Sequence, residues 1–130
     1  RLLPLAWLLL AAALSLRAET VLVLPFANNS KSANLDWIGE SIAENVRESL
    51  ASEGVLVLDR EDRLEAYRRL AVRPNAPLTR ATVIKIGQAL DASRVIHGQF
   101  DFTPAPAGGT SLRSMRIVLI SGMSPKRGTR

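Results

Sequence analysis

Two short apolar runs, Val21-Leu22-Val23-Leu24 and Val55-Leu56-Val57-Leu58, bracket one amphipathic helical segment, and that spacing restricts the chain more than any other feature in it. A continuous apolar run suits a strand covered on both faces. Pro25 cannot donate to a strand ladder, so the first strand should end there. Ala27 to Ala33 reads as a polar loop, and Asn34 or Asp36 can cap the helix that follows. Ile38, Ile42, Val46 and Leu50 then recur every four residues, joined by Leu35 and Ala43, while Glu40, Ser41, Glu44, Arg47 and Glu48 fall on the other side. One apolar stripe of this kind faces a sheet. Gly54 lies just past the last turn, where a left-handed residue stops a helix. Two strands joined by a helix of this length predict a parallel βαβ unit.

The remainder extends that unit. Asp59 can cap a second helix carrying Leu64, Tyr67 and Leu70 and running to about Val72, which Pro74 and Pro77 break. Thr79 can cap a third, whose face is traced by Val83, Ile84, Gly87 and Leu90. From Arg94 the period changes to two: Ile96, Gly98, Phe100 and Phe102 alternate with Val95, His97, Gln99 and Asp101, which predicts a half-exposed strand. Thr103 to Thr110 is a Pro- and Gly-rich hairpin loop, and Leu112 to Ile120 returns as its partner. The expected fold is a single α/β domain of two or three layers in the order β-α-β-α-α-β-β, with a mixed sheet that starts parallel and ends in an antiparallel hairpin.

What precedes and follows this domain reads differently. Leu2 to Leu16 carries no charge, begins beside Arg1 and ends before Arg17-Ala18-Glu19. It is shorter than the roughly 20 apolar residues needed to span a bilayer, so residues 1–18 are expected to be a secretory signal peptide, an uncleaved membrane anchor being the alternative. The domain is then expected over 20–120. Residues 121–130 read as an aperiodic basic tail, after which the chain is expected to be truncated. There is no cysteine, so stability must come from burial and backbone pairing rather than disulfides, and a lipidated amino terminus would lack its attachment residue.

The net charge of +5 invites a nucleic-acid reading that its distribution opposes. Seven of the 17 basic residues lie before Glu19 or after Leu112, and the body between them holds ten bases against all 12 acids. Phosphate backbones require clustered positive charge on one face. Arg60, Arg63, Arg68, Arg69 and Arg73 are interleaved with Glu61, Asp62 and Glu65, the pattern of a solvated, self-paired helix face.

No catalytic constellation is visible. Gly39-Glu40-Ser41-Ile42-Ala43 approaches a nucleophile elbow, but Ser41 falls inside an amphipathic helix rather than on a strand-to-helix turn. His97 is the only histidine and sits on a strand, where a surface or cross-strand role is the simpler account. With one histidine and no cysteine, only carboxylate sites for hard cations remain, and Asp59, Glu61 and Asp62 are explained as a cap with charges favourable to the helix dipole. No Gly-rich phosphate loop follows either apolar run. Neither a cofactor nor a metal is expected, and the chain is expected not to be an enzyme. Asn28-Asn29-Ser30 is formally a glycosylation sequon, with a turn-forming cluster as the simpler account. Trp37 lies away from the Ile38 stripe: either it packs down the Asn28 to Ala33 loop, the simpler expectation, or it anchors a protein interface. The residues singled out as protein or ligand contacts are Asn28, Asn29, Ser30, Lys31 and Trp37.

Val21-Leu22-Val23-Leu24-Pro25-Phe26-Ala27-Asn28, then Leu35-Asp36-Trp37-Ile38-Gly39-Glu40-Ser41-Ile42-Ala43-Glu44, and later Ala92-Ser93-Arg94-Val95-Ile96-His97-Gly98-Gln99-Phe100, resemble the amino-terminal domain of TolB, in the form that precedes tetratricopeptide arrays in bacterial exported proteins. The resemblance covers roughly Thr20 to Ile120. It implies a periplasmic or secreted, non-catalytic α/β module that binds other envelope proteins as the amino-terminal part of a larger scaffold, with contact to membrane only through the leader. It carries over no catalytic residue, and the β-propeller and the repeats of the resembled proteins are missing here. The alternative is a domain binding a small ligand or nucleotide through the loop after the first strand, because ligands settle beyond the carboxyl ends of parallel strands.

Overall fold

A computed structural model describes residues 19–74 and 76–123. The expected leader 1–18 and the basic end of the tail, 124–130, lie outside the described residues. Strand β1 (Thr20–Val23) and a two-residue strand β2 (Ala27–Asn28) are followed by a 3-10 turn (Ala33–Leu35) and helix α1 (Asp36–Ser52). Then come β3 (Leu56–Val57), α2 (Arg60–Arg69), α3 (Arg80–Ala89) and the hairpin of β4 (Arg94–Pro104) and β5 (Thr110–Ser121).

The predicted parallel unit is present: Thr20 and Val21 of β1 pair in parallel with Leu56 and Val57 of β3. On its other edge β1 runs parallel to β4, Val21 opposite Arg94 and Val23 opposite Ile96. The loop expected from Ala27 contains β2, which pairs with Gln99 and Phe100 of the same strand. Since β5 takes the second edge of β4 along its length, β1 and β2 must share the first, so the sheet runs β3, then β1 with β2, then β4, then β5. The break between β1 and β2 has a local cause. Three residues lie between Val23 and Ala27, but only two lie between their partners Ile96 and Gln99. The extra residue is taken up around Pro25, which has no N–H, and the next donor, Phe26 N–H, goes to Gly39 O in α1 instead of to β4.

Alternation along β1 assigns the layers. Val21 and Val23 pack with Ala43, Val46, Leu50 and Ile96 beneath α1, whereas Leu22 and Leu24 pack with Ala66, Tyr67, Val83, Ile86, Val95 and Ile120 beneath α2 and α3. The domain therefore has three layers. α1 lies very close to the sheet: a Cβ on Gly39 would stand 1.9 Å from Phe26 O and 3.3 Å from the Phe100 ring.

Several local expectations are corrected. The sheet-facing line of α1 is Gly39, Ala43, Val46 and Leu50, with only Gly39 and Ala43 fully buried, and Ile38 and Ile42 lie on its flank. α1 is entered through Leu35 without a side-chain cap, because the 3-10 turn precedes it and Asp36 is occupied elsewhere. The caps of Asp59 on Asp62 N–H and Thr79 on Thr82 N–H form as predicted, and Gly54 adopts φ +82°. α2 buries Arg63, Ala66 and Tyr67 rather than Leu64 and Leu70, and it ends at Arg69. In α3 Ile86 joins Val83 and Gly87 as the buried set, with Ile84 and Leu90 at its margin. β3 is an edge, and Leu56 is 57% exposed. β4 is central: Val95 and Phe100, five residues apart and so on opposite faces, are both buried. The tail expected from Ser121 begins later, since Ser121 completes β5 and Met123 is buried against Gly87.

Candidate functional site

The loop after β1 is built by its own polar side chains. Asn28 donates from Nδ2 to Ser32 O and to Asp36 Oδ1, while its Oδ1 accepts from Ser30 N–H. Ser30 Oγ accepts from Phe102 N–H at 2.7 Å, beside the irregularity at Asp101 and Phe102 where β5 carries one extra residue. Asn29 N–H donates to Phe100 O. Asn28 and Ser30 thus hold the loop onto the sheet, which supports the turn reading of the sequon. Lys31 is exposed. Trp37 does not pack the loop down; it is 66% exposed, because Asn28 and Asp36 already hold that loop and α1 points position 37 away from the sheet.

Between this loop and α2 lies a cavity of about 490 Å³. Its floor is His97, Gly98 and Gln99 of β4 with Arg116 and Val118 of β5. Tyr67 and the link at Ala76, Pro77 and Leu78 form one wall, and Pro25 to Asn29 with Asp36 the other. It opens on the α2–α3 side of the sheet, beyond the carboxyl end of β1, where open α/β sheets bind ligands. Of the sequence candidates, Asn28 and Asn29 reach it, whereas Ser30, Lys31 and Trp37 are not among its lining residues. Sequence reasoning missed Tyr67, His97, Gln99 and Arg116 as one group. The available signal was the period-two pattern of the hairpin, which sets His97 and Gln99 on one face of β4, and the missing information was the pairing that adds Arg116 opposite Gln99.

Burial pushes the Tyr67 phenol up to about 12. Burial also lowers His97 below its ordinary value, with the charge of Arg80 acting in the same direction, so the ring is neutral at pH 7. His97 Nε2 is buried without a hydrogen-bond partner. Beside the cavity, at the tops of β1 and β3, Arg63 is 4% exposed and reaches across from α2 to Glu40 of α1, which also pairs with Arg60 at 3.4 Å. This corrects the expectation of a fully solvated arginine face; Arg68 and Arg69 do pair with Glu65 in the open as expected.

A second surface lies on the opposite face. Leu112, Met115, Ile117 and Leu119 of β5 pair with Phe102, Phe100, Gly98 and Ile96, so all four share the α1 side of the sheet. α1 does not extend over them, and they are 44–61% exposed. Ile38 and Ile42 are set about 100° round the helix from Gly39 and Ala43, on the side away from Glu40.

The structure does not join Ser41 to His97: Ser41 is exposed on the outer side of α1, and His97 faces the other layer. Among the described residues no three His, Asp or Glu side chains are placed to hold a metal, and no helix is long and apolar enough to cross a membrane.

No protein-family model matches the chain, and no curated protein matches it. Solved structures do. The LpoB C-terminal domain of Salmonella enterica aligns with a TM-score of 0.50 at 18% identity, over 92% of this chain and 94% of that one. Lipoprotein GNA1162 of Neisseria meningitidis aligns at 0.56 and 14%, over 82% and 81%, and the LpoB C-terminal domain of Escherichia coli at 0.51 and 18%, over 81% and 84%. The fold is shared with these domains.

Proposed function

We propose that the domain is an exported, non-catalytic protein-interaction module of the bacterial cell envelope, forming the amino-terminal part of a larger scaffold. The observation that carries this reading is the apolar row on β5. Four large side chains exposed together on an edge strand form the kind of patch that soluble domains keep for a partner. Trp37 is a further exposed anchor of the type enriched at interfaces. The leader pattern, the resemblance to the TolB amino-terminal module and the fold shared with a Neisseria lipoprotein support a periplasmic or secreted location. The test is capture from envelope extract by the full-length protein beside its Ile117→Asp variant. One protein should be retained by the first and lost by the second; equal retention, or none by either, removes the reading.

The alternative, a small-ligand domain using the loop after β1, is favoured by the cavity that this loop lines.

A further inference from the structure

The cavity walls divide by chemistry. Phe26, Tyr67, Leu78 and Val118 supply an apolar lining, and the cavity is of the size that accepts a small organic molecule. Asn28 and Asp36 bond to each other, but the rest of the polar lining has no side-chain partner among the described residues. No side-chain hydrogen bond among the described residues uses Asn29, Gln99 or Arg116, and His97 Nε2 is buried with no partner. Arg116 makes no ion pair with any described residue. Among the described residues the lining holds a single carboxylate, Asp36, and its Oδ1 already accepts from Asn28. Among the described lining residues Arg116 is thus a cation without an ion-pair partner, beside neutral hydrogen-bonding groups and an aromatic wall.

Resting on the ligand-binding reading, we propose that this cavity binds an organic carboxylate joined to an apolar body. The planar guanidinium of Arg116 takes the carboxylate in a two-pronged contact, a geometry that arginine matches and lysine does not. Gln99 and His97 hydrogen-bond beside it, and the apolar body lies against Tyr67 and Phe26. A phosphate fits less well. Among the described residues, the helix amino terminus on the cavity is that of α1, and Asp36 places a negative charge there, where a phosphate would seek backbone N–H groups. The carboxylate could belong to a free acid or to the carboxyl end of a polypeptide, and the chemistry is the same.

Titration of the full-length protein, followed by backbone amide NMR signals, separates these outcomes. The probes are 3-phenylpropionate, its neutral amide, and a pentapeptide ending in phenylalanine with a free or an amidated terminus. The free acid, the free-ended peptide or both should shift His97, Gly98 and Gln99 and bind at least tenfold more tightly than the matching amide. Arg116→Gln, an exposed substitution that should leave melting unchanged, should erase that preference. Binding of the peptide alone would assign the source to a polypeptide end, and of the acid alone to a small molecule. Equal binding of acids and amides overturns the carboxylate assignment and leaves a ligand-binding domain standing. Failure of all four probes at millimolar concentration overturns both.

Discussion

His97 and Tyr67 illustrate how position sets chemistry for single side chains. Folding lowers the affinity of His97 for a proton, so as pH falls through about 6.5 the unfolded chain protonates first and stability declines. Urea melts of the wild type should show that loss between pH 7 and 5, and His97→Gln should flatten it. Tyr67 behaves oppositely in range: its phenol is pushed to about 12, so the unfolded state ionises first as pH rises from 10. About 3 kcal/mol of stability should disappear between pH 10 and 12 and be retained in Tyr67→Phe. Neither behaviour was legible in the sequence. Tyr67 read as one member of an apolar stripe, and His97 as a surface or cross-strand residue, because burial depends on which helix crosses above. Asn28 was legible as a contact residue, but its side chain serves the loop's own hydrogen bonds.

At the scale of elements, the close approach of α1 to the sheet makes Gly39 irreplaceable. Gly39→Ala forces α1 away from Phe26 O, where the clash is with backbone that cannot rotate aside, and should cost about 3 kcal/mol in chemical denaturation. β5 behaves in the reverse way. Ile117 is 61% exposed, so Ile117→Asp should change folding stability by no more than about 0.5 kcal/mol while abolishing partner capture. Loss of both together would show that the row is structural. The strand and helix types were readable from periodicity, as were the caps at Asp59 and Thr79. The rotation of α1 was not, because Ile38 and Ile42 fit an apolar stripe equally well, and only the need to seat a helix against Phe26 and Phe100 selects the glycine side.

Across the whole molecule, Arg63 and Glu40 tie the two helical layers together around the end of the sheet. Glu40 is half-buried but Arg63 is buried, so removing Glu40 leaves the arginine charge uncompensated. Glu40→Ala should therefore cost roughly 3 kcal/mol, whereas the double change Glu40→Leu with Arg63→Met should cost distinctly less. Equal costs would mean that the arginine finds water when its partner is removed. The sequence by itself determined the order of the elements apart from β2 and the 3-10 turn, with the parallel βαβ beginning and the antiparallel end, because apolar period, proline and capping residues act over distances of a few residues. Tertiary structure alone decided that β4 is central, that β2 continues the line of β1, that Arg63 is buried, and that Arg116 stands beside His97 and Gln99. Each of those depends on a pairing between segments far apart in the chain, and local periodicity carries no information about which strand edge meets which.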